Sequence, residues 1–235
     1  MRQVVLDTET TGISVRDGNR ILEIGCVEVI DRKLTGNHYH VYINPQRESE
    51  EGALRVHGIT TEFLNDKPLF EQVAQDFFDF INGAQLVIHN APFDIGHMDA
   101  EFRRLAKKGG KDFGKTEDFC TVVDTLAMAK KMYPGAKNNL DALCRRFGID
   151  NSHRTLHGAL LDSEILADVY LLMTGGQSDL SLDASQDEGA INSETRRENT
   201  ISNLKVIRAS PEEIASHISF LEMMDKQNDG KTRQF

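Results

Sequence analysis

Val4-Val5-Leu6-Asp7-Thr8-Glu9-Thr10-Thr11-Gly12 is apolar for three residues, carries a carboxylate at two alternate positions, and then breaks into a turn. β-Branched and apolar residues at its start make it a strand, and side chains two apart on a strand share a face. Asp7 and Glu9 therefore project together, at the carboxyl end of the strand, where open α/β sheets gather their ligands. A water-exposed edge strand would tolerate such a pair. The apolar run ahead of it argues for a central strand instead, in which two carboxylates need something to cancel their charge. A bound cation is the expectation.

Working outward, Ile21 to Ile30 is a second long apolar stretch, and Tyr39 to Ile43 alternates with period two until Asn44-Pro45. Gly12, Gly18 and Asn19, then Asp31 and Gly36-Asn37, supply the intervening turns. After Pro68 the period becomes helical: Phe70, Val73, Phe77, Phe80 and Ile81 form one apolar face, and Asn82-Gly83 closes it. Leu86-Val87-Ile88 is a short strand. A helix follows, with Asn90 as N-cap, Pro92 in its first turn, and Ile95, Met98, Phe102 and Leu105 on its apolar face. Val122-Val123 is another strand, and helices are expected over Leu126 to Met132, Leu140 to Phe147 and Leu160 to Leu172. Three meandering strands followed by alternating helix and strand give an α/β fold, a mixed sheet with helices on its faces.

Residues 1–174 form one domain in this reading. From Gly175 to about Asn203 the composition turns to Gly, Ser, Asp, Gln and Asn, as in a flexible linker. Residues 204–235 regain order, since Ser210-Pro211-Glu212-Glu213 is a capping box with Pro at the first helical position. Ile214, Ile218 and Leu221 continue as a short apolar stripe.

The bulk composition narrows the function classes. No apolar run approaches the roughly 20 residues that span a bilayer. Met1 leads almost directly into the first strand, which leaves no room for a signal peptide. Cys26, Cys120 and Cys144 are odd in number and widely spaced, so they read as reduced, largely buried thiols of a cytoplasmic protein. The net charge of −10 speaks against non-specific nucleic-acid binding, whose affinity comes from Lys and Arg on phosphates. An enzyme of nucleic acid with this balance must hold its substrate through metal ions or receive it from a partner.

Two further carboxylates extend the cation hypothesis. Asp94 lies in the first turn of the helix after His89, where it either complements the helix dipole or supplies a metal ligand. Asp162 sits near the apolar face of the last domain helix, where a lone carboxylate is costly. His157 precedes it by five positions, roughly 140° around a helix, so the two do not share a ridge. That offset suits His157 as a general base at the helix entrance rather than as a co-ligand of the same ion, and its ordinary pKa fits the task.

The order Asp7-x-Glu9, Asp94 within His89-Asn90-x-x-Phe93-Asp94, and His157-x-x-x-x-Asp162 resembles the DEDDh exonuclease superfamily. Gly158 stands where a sister group has Tyr, which selects the His form. Val5 to Gly12, Ile24-Gly25, Val56-His57-Gly58-Ile59, Asn139 to Cys144 and Arg154 to Asp162 are similar to the proofreading subunits of bacterial replicative DNA polymerases, over almost the whole chain. The resemblance implies a ribonuclease H-like fold with a mixed five-stranded sheet. It implies two Mg²⁺ or Mn²⁺ ions held by Asp7, Glu9, Asp94 and Asp162, with His157 activating the attacking water. The terminal nucleotide of a DNA primer 3′ end would lie against Asp7, Glu9, Asp162, His57 and the backbone of Thr10.

The same resemblance extends to partners. Gln177-x-x-Leu180-x-Leu182 looks like a sliding-clamp-binding peptide, and the stripe of Ile214, Ile218 and Leu221 like a docking helix for the polymerase subunit. A small accessory subunit is a further possible partner. RNA-trimming members of the superfamily, of the oligoribonuclease or tRNA-maturation type, share the catalytic residues but usually lack such a tail. An inactive scaffold would not need all four carboxylates and the histidine.

Overall fold

A computed structural model describes residues 1–175, apart from 153 and 155, and residues 210–227. These fall into two units, the residues up to 175 and the helix near the C-terminus, each described by itself.

The first unit is built on a five-stranded sheet: β1 (Arg2–Thr10), β2 (Ile21–Ile30), β3 (Lys33–Tyr42), β4 (Gln85–Ile88) and β5 (Thr121–Asp124). Their order across the sheet is β3-β2-β1-β4-β5. β1 pairs antiparallel with β2 and parallel with β4, so it is the central strand of a mixed sheet, as its apolar start requires. Short helices α1 (Glu51–His57) and α2 (Thr61–Leu64) lead into α3 (Phe70–Ile81). Then come α4 (Ala91–Lys107), α5 (Thr116–Phe119), α6 (Thr125–Met132), α7 (Leu140–Phe147) and α8 (Ala159–Gly175).

The pleat of β1 divides the core in two. Val4 and Leu6 face a cluster with Phe70, Phe77 and Phe102 of α3 and α4, while Val5 joins Leu143, Ile165 and Val169 of α7 and α8 on the other face. Each layer buries apolar area at roughly 25 cal/mol per Å², so neither face can be left open. Period two then carries Asp7 and Glu9 onto the α8 side, and Thr8 onto the α4 side.

Gly25 decides how closely α8 approaches. A Cβ there would lie 2.2 Å from the backbone of Ala159 and Leu160, and Ser163 Oγ donates to the Gly25 carbonyl at 2.9 Å. Gly25 is the register partner of Asp7, so this contact delivers the first turn of α8 to the carboxyl end of β1.

One expectation needs correction. β3 begins at Lys33, not Tyr39, and runs through the supposed Gly36-Asn37 turn. It is an exposed edge strand, so no hydrophobic alternation marked its first half, and a register irregularity at Val27/Val29 accommodates Gly36 at φ +82°. Asn90 is the N-cap of α4, as expected, but without a side-chain cap bond: it adopts the left-handed conformation (φ 71°), and its N–H donates to Asp124 at 3.2 Å. His57 closes helix α1.

The helix near the C-terminus, α9 (Pro211–Gln227), starts at the expected capping box. Glu213 N–H donates to Ser210 Oγ at 3.2 Å, and the Glu213 carboxylate accepts from Ser210 N at 2.8 Å. Among the described residues no helix is long and apolar enough to cross a membrane, and all three cysteines are free and buried.

Candidate active site

The carboxylates converge from both faces of the sheet onto the end of β1. Thr8, on the α4 side, holds Asp94: its backbone N–H and its hydroxyl donate to the same oxygen at 3.1 and 2.7 Å. On the α8 side, Glu9 and Asp162 come together with His157, their ligand atoms all within 4.8 Å of one another. Asp94 and Asp162 are 2% and 3% exposed and Glu9 is 8%, so water does little to disperse their charge.

Electrostatics follows from this crowding. Burial, then Asp94, Glu9 and Asp162, push the Asp7 carboxyl well above the usual carboxylate range. Burial and then Asp162 and Glu23 raise Glu9 to about 8, and burial raises Asp94 to about 7 despite the two bonds from Thr8. A cluster of acids that resists ionisation at neutral pH is one that a divalent cation would restore to the charged form. The four carboxylates form an all-oxygen donor set, which suits a hard divalent ion, and His157 lies beside it. Asp7, Glu9, Asp94 and Asp162 fit that group on chemistry and on convergence.

His157 reaches its place differently from expectation. It lies before α8, whose first residue is Ala159, so the angle around a helix does not govern it. Its Nδ1 is 3.4 Å from Asp162 Oδ2, close enough to share a cation with it. The segment carrying it docks on α1: the His157 N–H donates to Val56 O at 3.1 Å, and Leu156 packs over Gly58, a left-handed helix cap at φ +70°. Burial and then the neighbouring Arg154 lower the His157 pKa, which keeps the ring neutral at pH 7.

Two cavities flank the carboxylates. One, of about 290 Å³, runs from Glu9, Thr10 and Gly12 to His57, with Ile13, Val56 and Phe93 as apolar walls. His57 is 4% exposed, and its Nδ1 accepts from Ile59 N–H at 2.9 Å, which leaves the proton on Nε2. That Nε2 is buried without a hydrogen-bond partner among the described residues. The Thr10 hydroxyl donates to Gly12 O at 2.9 Å and shapes the turn after β1. The second cavity, about 230 Å³, is lined by Asp7, His89, Asp141, Arg154, His157 and Asp162 among others.

Arg154, Thr8 and Gly25 are the positions shaping the candidate site that residue reasoning passed over. Arg154 and Gly25 stood inside quoted motifs without a role, and Thr8 sat unremarked between the two carboxylates. The proposed clamp peptide, Gln177, Leu180 and Leu182, lies outside the described residues, as does the expected linker beyond Gly175. On α9 the side chains of Ile214 and Ile218 are exposed, and so is Phe220; the Leu221 side chain lies outside the described set.

Residues 4–170 match the family described as Exonuclease. The chain belongs to the exonuclease family. It is 54% identical to DNA polymerase III subunit epsilon of Haemophilus influenzae, over 97% of this chain and 92% of the relative. The subunit epsilon of Escherichia coli K12 is 52% identical, over 96% and 94%. Among solved structures, Exonuclease X in complex with 5′ overhanging duplex DNA is 25% identical with a TM-score of 0.54, over 74% of this chain and 92% of that one. A zinc ion-bound E. coli exonuclease I–ssDNA complex is 18% identical with a TM-score of 0.63, over 75% and 41%, and supports the fold alone. Members of this family depend on divalent metal.

Proposed function

We propose that this chain is the proofreading 3′→5′ exonuclease of DNA polymerase III, and that Asp7, Glu9, Asp94 and Asp162 hold two divalent ions, Mg²⁺ or Mn²⁺, at its hydrolytic site. The observation that carries the reading is the convergence of four largely buried carboxylates, three of them with raised pKa values, beside one neutral histidine. Such a cluster is destabilising by itself and useful once cations and a phosphodiester are present.

When bound, the ions would supply a water of lowered pKa and Lewis-acid stabilisation of the phosphate. The residues of the chain do the rest. Thr8 aims Asp94, and the β1 ladder fixes Asp7 and Glu9 before substrate arrives, so little reorganisation accompanies the reaction. His157, neutral and half-exposed, takes the proton of the attacking water. The 290 Å³ cavity is at the small end of ligand pockets (about 300–1,000 Å³) and suits one terminal nucleotide rather than a duplex. His57 Nε2–H and the Thr10 backbone would bind its sugar and phosphate edge, with Ile13, Val56 and Phe93 against the base.

The acidic balance fits an exonuclease that a polymerase supplies with DNA, because tethering raises the local concentration of primer ends without a basic patch. The exposed Ile214, Ile218 and Phe220 of α9 are apolar side chains that a polymerase groove would bury. A clamp contact through residues 177–182 and a small accessory subunit remain part of this proposal.

The deciding experiment is digestion of a 3′-mispaired DNA primer by the Asp7→Ala protein with Mn²⁺ present. Hydrolysis is expected to fall by on the order of 10³-fold while the fold survives. Digestion at the wild-type rate would overturn the assignment.

A further inference from the structure

Among the described residues, Arg154 is the only permanent cation lining the 230 Å³ cavity, and its side chain is only 6% exposed. Its guanidinium forks onto Asp162: Nε donates to Oδ1, and Nη2 donates to Oδ2 at 2.6 Å. From the other side, Nη1 donates to Asp141 Oδ1 at 2.8 Å, and Nη2 also lies 3.0 Å from His157 Nδ1. A guanidinium only donates, so Nδ1 must be the acceptor, and the imidazole proton is then on Nε2. One side chain therefore occupies both oxygens of Asp162 and one nitrogen of His157.

This arrangement sets Arg154 in competition with a divalent ion for the charge of Asp162. Each oxygen that would face the ion already accepts a charge-assisted hydrogen bond. Arg154 cannot yield by deprotonation, because a guanidinium keeps its proton in proteins; it yields by moving. Asp141 gives it somewhere to go, since that carboxylate is 43% exposed, lies in the first turn of α7 and also accepts from Asn151 Nδ2 at 3.0 Å.

We propose that Arg154 is a resident counter-cation: it neutralises Asp162 and holds His157 while the ion is absent, and on ion binding it swings off Asp162 and stays tethered to Asp141. The inference rests on the reading of Asp162 as a metal ligand. Arg154 is a positioning residue in this scheme, and the strength of its fork sets the metal affinity.

The test uses the full chain without DNA, titrated with Mn²⁺ alone by calorimetry, and thermal unfolding in EDTA. Arg154→Gln is expected to bind Mn²⁺ about tenfold tighter, the scale of releasing one charge-assisted hydrogen-bond pair, and to unfold at a lower temperature when metal-free. Asp141→Asn is expected to weaken Mn²⁺ binding in the wild-type background, where the displaced guanidinium loses its tether. It should have no effect in the Arg154→Gln background. Arg154→Lys, which keeps the charge but not the fork, should fall between wild type and Arg154→Gln, and it serves if the Gln variant does not fold. Unchanged or weaker Mn²⁺ binding by Arg154→Gln overturns the proposal, and so does an equal effect of Asp141→Asn in both backgrounds. If Asp162→Asn binds Mn²⁺ as tightly as wild type, the metal-site reading itself fails.

Discussion

The two halves of the active site are built by different means. Asp7, Glu9 and Asp94 stand on a central strand and on a helix that the strand's own Thr8 fastens in place. Arg154 and His157 stand in the segment between α7 and α8, held by a hydrogen bond to Val56 and by the polar fork onto Asp162. The strand half inherits its geometry from a ladder paired on both sides. The segment half owes its geometry to a handful of contacts, one of which is the electrostatic problem posed by the strand half. The carboxylates of the strand half fix where charge must be, and Arg154 of the segment half answers that charge.

Mutation should separate these halves. His157→Ala is expected to lose about 10²- to 10³-fold in rate near pH 7, the usual contribution of a general base. Its deficit should shrink as pH rises and hydroxide replaces the base, whereas the Asp7→Ala deficit should not. Parallel pH–rate profiles for the two variants in a primer-digestion assay would break the distinction.

Gly25→Ala attacks the contact that joins the halves. Its Cβ would collide with the backbone of Ala159 and Leu160, which cannot step aside as a flexible side chain would. Overpacking of this kind costs about 1–3 kcal/mol, and the shift of α8 should also withdraw Asp162 from Glu9. Thermal unfolding and Mn²⁺ titration of the variant would both register it; a wild-type result in both would show that the close approach is dispensable.

The smallest expected effect is a pH dependence of the metal-free protein. Glu9 at about 8 and Asp94 at about 7 are raised above their unfolded values of 4.5 and 3.8. Groups raised in this way contribute stability that is full below the unfolded pKa and is lost as pH climbs through the folded one. In EDTA the unfolding temperature should therefore fall between about pH 5 and about pH 9, and Glu9→Gln should flatten part of that slope. Saturating Mn²⁺ should reverse the trend, because ion binding needs the deprotonated carboxylates. A flat profile in EDTA would mean that Arg154 and solvent already neutralise the cluster.

Much of this architecture was legible from local pattern. The apolar start of β1 marked a central strand, the spacing of Phe70, Val73 and Phe77 marked α3, and the box from Ser210 to Glu213 marked the start of α9. The errors fell where local pattern carries no information. The first half of β3 is solvent-exposed, so it needs no alternation, and α1 and α2 are too short to show a helical period. The site was legible as a set of residue types, but Arg154 was not, because an arginine ahead of a helix has no pattern that announces its target.

By itself the sequence determined the strand, the shared face of Asp7 and Glu9, and the family, since these depend on neighbours along the chain or on motif order. Tertiary structure alone decided that Asp94 and Asp162 reach the same strand end from opposite faces, through Thr8 on one side and the missing Cβ of Gly25 on the other. It also decided that His157 leans on Asp162 and that Arg154 lies between them and Asp141. Those are distances through space between distant parts of the chain, and only the packing of α4 and α8 on the two faces of one sheet sets them.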